Sequence, residues 1–212
     1  MKTDNLINAI VQDALAPPLS LAARVFGALV VGGAVAGILF ASTLGVRSDI
    51  GSALATWRFL LKVAVTLICF ALAWVACVRL ARPETSARQV VIGLAIAPAV
   101  LAVAVGYELM TVPSAEWYAR TAGLYARTCL LAIPLLSLVP LAALLMALRA
   151  GAPRAPAAVG AVAGLLAGAL GAVFYATHCP DDSPLFVAVW YTLAMALVVL
   201  IGSLAGHRVL RW

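Results

Sequence analysis

Four cysteines and two histidines hold most of the reactive chemistry available to this 212-residue chain, and their positions separate them into two kinds. Cys69 and Cys77 lie within one long apolar run, where cysteine behaves as a small hydrophobe, and both read as structural. Cys129 opens another apolar run, and Cys179 sits in the loop ahead of the last one. That loop reads His178-Cys179-Pro180-Asp181-Asp182-Ser183-Pro184 and is the densest polar cluster in the chain. A protonated His178 would raise the thiolate fraction of Cys179, or share a metal with it, whereas Asp181 and Asp182 would oppose ionisation. Cys129 and Cys179 fall at the same end of their runs, so in an oxidising compartment they could pair or jointly hold a soft metal ion. Stronger metal signatures carry more ligands at fixed spacing. Asp181, Asp182 and Ser183 also suit the start of a helix at Pro184, as caps and as charges complementing its dipole; the two readings are compatible.

Other chemistries are poorly supplied. His178 and His207 fall at opposite ends of the last run, which leaves no usable Ser-His-Asp arrangement and argues against hydrolysis. A membrane thiol oxidoreductase passing electrons from Cys129 and Cys179 to a quinone is the second reading, although no Cys-x-x-Cys pair supports it. A small transporter is the third. Transporters keep ionisable groups inside the membrane, whereas Lys62, Glu108 and Arg127 sit at the ends of runs, where interfacial anchoring is expected; the chain also shows no convincing internal repeat.

The elements that position these residues follow from composition. The chain is 65% hydrophobic and 10% charged, with a mean hydropathy of +1.11, far too little charge to cover a water-facing surface. A membrane crossing needs about 20 apolar residues of helix. Six charge-free intervals approach or reach that length, at 25–46, 63–78, 89–107, 128–148, 155–177 and 183–206. The second is short, and Lys62 and Arg79 are expected to snorkel at its ends. The fold class is therefore all-α, a polytopic six-transmembrane-helix bundle (21–212) preceded by a short N-terminal segment (1–20).

Basic loops resist translocation. With both termini cytoplasmic, Lys2, Arg24, Arg79, Arg82, Arg88, Arg149, Arg154, Arg208 and Arg211 lie inside with Asp4, Asp13 and Glu84, a net +6. Arg47, Arg58, Lys62, Arg120 and Arg127 are then balanced outside by five acids. The positive charge is a topology signal, and no basic stripe with interleaved aromatics points to direct nucleic-acid binding. Asp4 and Asp13 precede the first run, which lacks the cleavable signal pattern. Stretches 47–58 and 111–127 carry Trp57, Trp117, Tyr118 and Tyr125 and read as short interfacial helices, the second starting at Pro113-Ser114. Gly160, Gly164 and Gly168, with Gly33 and Gly37, mark close helix approaches, and Pro98, Pro134 and Pro140 are expected to kink the third and fourth spans. In the N-terminal segment, Leu6, Ile7, Ile10, Val11 and Leu15 recur at helical spacing between Thr3 and Pro17-Pro18. With only Lys2 against Asp4 and Asp13, this face suits a protein groove better than anionic lipid.

The opening Met1-Lys2-Thr3-Asp4-Asn5-Leu6-Ile7, the six apolar spans, and the 178–184 loop leading to Phe186 and Trp190-Tyr191 together resemble the NrsF family of bacterial inner-membrane anti-sigma factors. The resemblance covers the whole chain, and its loop motif is the more specific part. It implies a non-enzymatic regulator without a resident cofactor. Such a regulator holds an extracytoplasmic-function (ECF) sigma factor at the inner membrane and answers heavy-metal and oxidative stress. It also implies that Cys129 and Cys179, beside His178, are periplasmic sensing cysteines, with transient soft-metal binding as one mode. Lys2, Thr3, Asp4, Leu6, Ile7, Ile10 and Val11 match the sigma-contacting end.

Overall fold

The computed structural model describes residues 20–80, 87–151, 153 and 155–211. Over these residues the expected all-α class is observed, with regular structure that is entirely helical. Ten α-helices follow in order: α1 (Leu21–Thr43), α2 (Ile50–Ala53), α3 (Trp57–Leu80), α4 (Ala87–Leu94), α5 (Ile96–Thr111), α6 (Ser114–Ala122), α7 (Ala126–Leu148), α8 (Pro156–Ala176), α9 (Pro184–Phe186) and α10 (Thr192–Val209). A π-helical turn, Val187–Tyr191, joins α9 to α10. Six stretches of 21 to 26 residues are long and apolar enough to cross a membrane. At about 1.5 Å per residue they measure roughly 32–39 Å.

All six stretches differ somewhat in their bounds from the charge-bounded intervals, and two differ in kind. The second runs from Trp57 and contains Arg58 and Lys62. Its charges did not end the helix because Lys62 is buried, 1% exposed, and paired within the protein. The expected snorkelling of Lys62 is thus corrected: its ammonium turns inward. The third stretch is broken at Ala95 between α4 and α5. Pro98 occupies the first turn of α5, where its missing N–H would otherwise have bonded the carbonyl of Leu94 in a continuous helix. Pro134 and Pro140 lie inside α7, which continues through both. Ser137 Oγ donates to the Ile133 carbonyl at 2.6 Å, one turn back.

α8 is the central helix and packs against α1, α3, α7 and α10. Its small residues decide how closely. A Cβ on Gly160 would collide with the Gly202 carbonyl, one on Gly164 would stand 2.5 Å from the Val198 carbonyl, and one on Gly206 would stand 2.6 Å from Gly160 Cα. Backbones in direct contact gain van der Waals packing that lipid, as apolar as leucine, could not otherwise drive. The first span makes its close approach through Gly32, whose Cβ would meet Pro140 Cα at 2.7 Å. Gly33 and Gly37 face only the side chains of Leu170 and Phe174, at ordinary distances of 3.5 and 3.4 Å. The expected glycine contact of α8 is therefore present with α10 as its partner, while that of α1 is shifted by one residue and made with α7.

The core divides along the bundle axis. At one end Val25, Cys77, Val90, Leu148, Val159 and Leu210 form one buried cluster, with Leu21 and Leu80 against it. At the other, Cys129, Ala132, Ala176, Cys179, Phe186 and Tyr191 form a second. The start of α1 and the end of α10 thus meet at one end, and the 178–184 loop lies at the opposite one. Gly160→Leu and Gly202→Leu are each expected to force α8 from α10 and destabilise the protein by about 1–3 kcal/mol or more, read as a lower thermal midpoint in detergent. Gly33→Ala is expected to stay within about 1 kcal/mol of the parent.

Candidate functional site

Three connections close over one end of the bundle: 44–56, 112–125 and 177–183. Both stretches expected to form short helices do so, α2 as a single turn and α6 as two turns that begin at Ser114 after Pro113. Within α6, Arg120 donates to Glu116 one turn back at 2.8 and 3.0 Å, and Trp117 Nε1 donates to the Val112 carbonyl. Gly123 ends α6 at φ +58, a left-handed value that favours glycine. A Cβ there would also collide with the Phe186 ring and approach the Asp181 carboxylate. Only glycine lets this turn close against the 178–184 loop.

That loop is fastened on every side. Asp181 accepts from the backbone N–H groups of Leu124 and Tyr125 at 3.0 and 2.8 Å. Asp182 accepts from Arg47 Nη1 at 2.9 Å and pairs with the Lys62 ammonium. Lys62 Nζ also donates to the Cys179 carbonyl at 2.7 Å. The Arg47 backbone N–H donates to the Thr177 carbonyl at 3.1 Å, and His178 Nδ1 lies 3.0 Å from the Gly45 carbonyl, which fixes the proton on that nitrogen. The expected cap of the last helix is made by Ser183, whose Oγ accepts from Leu185 N–H. Asp181 and Asp182 serve the neighbouring elements instead.

A second buried charge lies beside the first. Glu108, 0% exposed, accepts from Arg58 Nε at 3.0 Å and Arg120 Nη1 at 3.1 Å. Its expected role as an interfacial anchor is replaced by that of an internal counter-ion joining α3, α5 and α6. Arg47 is held above its ordinary pKa first by its hydrogen bond to Asp49, whose carboxyl is lowered by the same contact.

Cys129 and Cys179 are brought together beneath this lid as free thiols in one buried cluster with Tyr175, Phe186 and Tyr191. Both are 0% exposed. Burial pushes the Cys179 thiol above its ordinary pKa, the nearby Lys62 charge acting the other way. At neutral pH it is a protonated, shielded thiol, and its reactivity depends on how often the loop opens. The π-helical turn supplies the aromatic wall, setting Tyr191 in the thiol cluster and letting Trp190 Nε1 donate to the Thr121 carbonyl at 2.8 Å. Tyr191 Oη is buried without a hydrogen-bond partner.

His178 is directed at the Gly45 carbonyl, with its ring 5.8 Å from that of Tyr175. Among the described residues no group of three or more His, Cys, Asp and Glu side chains stands close enough to hold a metal ion. A soft metal at Cys129 and Cys179 would have two protein thiolates as ligands. Lys2, Thr3, Asp4, Leu6, Ile7, Ile10 and Val11 lie outside the described residues, as do Arg82 and Arg154. The residues that sequence reasoning missed are Arg47, Lys62 and Glu108 as loop-holding charges; Asp182, which pairs with Arg47 and Lys62, and Arg58, which pairs with Glu108, are 50 to 135 positions away from them, beyond any local pattern. Gly123 carried a signal, as a glycine between an amphipathic stretch and an apolar span.

Arg58→Ala and Arg120→Ala are each expected to be tolerated, because Glu108 keeps one guanidinium. The double variant leaves a buried carboxylate unpaired and is expected to lose about 3–5 kcal/mol, more than the two single losses together. Thermal unfolding of the three variants in detergent measures this.

Similarity to known proteins agrees with this reading. Residues 11–212 match the family model described as NrsF, negative regulator of sigma F. The chain is 36% identical to the anti-sigma-F factor NrsF of Caulobacter vibrioides over 218 aligned residues. It is 34% identical to the probable anti-sigma-F factor NrsF of Azospira oryzae over 214. Both alignments cover all of this chain and all of the relative. No solved structure matches. With the family model spanning nearly the whole chain and two full-length relatives above 30% identity, the protein belongs to the NrsF family of negative regulators of sigma F.

Proposed function

We propose that this chain is a non-catalytic, membrane-embedded anti-sigma factor that holds an ECF-type sigma factor at the bacterial inner membrane and releases it when the Cys129–Cys179 site is oxidised or bridged by a soft metal. The observation that carries the first half is family membership over residues 11–212, with full-length relatives named as anti-sigma-F factors. Six apolar stretches of membrane-spanning length support the embedding. The balance of basic residues favours an orientation with both termini in the cytoplasm and the 178–184 loop in the periplasm. The sigma-contacting end is then the N-terminal segment, with Lys2, Thr3, Asp4, Leu6, Ile7, Ile10 and Val11 as its contacts.

The second half rests on the pairing of two thiols in one buried cluster at the end of the bundle opposite to Leu21. A signal there must be felt roughly 32–39 Å away. A ligand shifts an equilibrium only by its differential affinity for two states. Joining Cys179 to Cys129 ties the loop between α8 and α9 to the start of α7, and the bundle arrangement it favours differs from the one that grips the sigma factor. His178 acts with the thiols by fixing the loop to Gly45.

Purification from native membranes in mild detergent tests sequestration. A sigma factor is expected to co-purify with the full chain and to be lost when the residues up to Leu15 are removed. Its absence from the full chain, with the protein folded and the sigma factor expressed, overturns the proposal. Cys129→Ser and Cys179→Ser are expected to retain the sigma factor under cadmium or peroxide; normal release by both refutes the two-thiol detector.

A further inference from the structure

Lys62 is the unusual residue in this lid. Lysine is almost never fully buried unless paired, and here the ammonium is closed in by the loop that it holds. Its two polar contacts, the Cys179 carbonyl and the Asp182 carboxylate, lie on either side of Pro180-Asp181, so one side chain from α3 clamps both arms of the turn that carries Cys179. The Phe59 ring covers it, with Nζ 5.4 Å from the ring centroid. Arg47, the other cation on the loop, has a second partner: Asp49 accepts from it at 2.7 Å twice. When the loop lifts, Arg47 keeps its charge paired. Among the described residues Lys62 forms its ion pair with Asp182, so lifting strips an otherwise buried ammonium of its anion and of a carbonyl together.

We propose that Lys62 is the positioning residue of the thiol site, a latch that, with Asp182, keeps the Cys179 loop shut over the two cysteines and sets how readily a thiol reagent or soft metal reaches them. The latch is strong only while both partners are present. Loss of Asp182 leaves the buried Lys62 ammonium uncompensated, which is strongly destabilising; loss of Lys62 leaves Asp182 with Arg47 but removes the 2.7 Å bond that holds the Cys179 carbonyl. The strain falls locally, on the loop, because Cys77 and the rest of the opposite cluster share no residue with it. The latch deepens the two-thiol reading and takes its regulatory meaning from it. Its geometry can be tested without any sigma factor or signal.

The test uses the full chain in native membranes, treated with N-ethylmaleimide, with modification of each cysteine followed over time by mass spectrometry. Cys77, buried in the opposite cluster, is the internal standard for global loosening. Lys62→Met is expected to raise the labelling rate of Cys179 about tenfold or more with Cys77 within about twofold of the parent, since labelling of a closed site follows its local opening. Asp182→Asn, which leaves the Lys62 ammonium without its anion, is expected to act in the same direction. A smaller rise at Cys179 in both variants overturns the latch. So does a parallel rise at Cys77, which would make Lys62 a support of the whole bundle. Because labelling is read at rest, failure of the sigma-release experiments leaves this outcome untouched, and the reverse also holds.

Discussion

An ionised side chain removed from water must find an opposite charge, and in this bundle two such groups organise an entire end of the molecule. Lys62 from α3 and Glu108 from α5 are both buried. Neither helix carries a partner for its own charge: Asp182 comes from the loop after α8, and Arg120 from α6. The cost of leaving either charge alone is several kcal/mol, and the connecting loops are drawn inward to meet it. The thiols beneath are shielded as a consequence. The same chain with neutral residues at these positions would lose these inward ties and keep the contacts made by Asp181, His178 and Arg47.

The opposite constraint governs the seams between apolar helices, where charge is absent and distance alone is available. The contact of α8 with α10 is made between backbones because Gly160, Gly164, Gly202 and Gly206 present nothing else, and α1 reaches α7 in the same way through Gly32 and Pro140. Proline and glycine act here as a matched pair. Pro140 offers no N–H to be satisfied, so its backbone can lie against another helix without a stranded donor.

Much of this was legible in the sequence. The number of spans, the helix at Ser114, the approach of α8 through Gly160 and Gly164, and the placement of Cys129 and Cys179 at one end all follow from local patterns of hydropathy, turn chemistry and spacing. What was not legible depends on who meets whom. Charge-bounded counting began the second span at Val63, because a lysine in isolation is read as a boundary; only its partner at position 182 makes it interior. Gly32 and Gly33 are indistinguishable by period, and the crossing angle that selects between them is a property of the assembled pair. The Gly202-Gly206 spacing was visible in the sequence, yet its meaning appears only opposite Gly160. Asp181 and Asp182 looked like helix caps by position, and were recruited by unsatisfied N–H groups and cations from other connections.

Backbone contact between α8 and α10 has a mechanical consequence. Side chains at an interface can change rotamer and let two helices slide, whereas interlocked backbones have no such slack. These two helices are joined by the 178–184 loop, α9 and the π-helical turn, and their backbone seam makes them a single stiff hairpin, whose hinge cannot lie within that seam. A displacement of that hairpin moves both helices together. It must be absorbed where packing is made by pliable side chains, as between Phe174 and Phe40, whose stacked rings lie 5.7 Å apart. The bundle is thus a rod against a cushion, and the softer seam is the one between α1 and α8, packed through side chains.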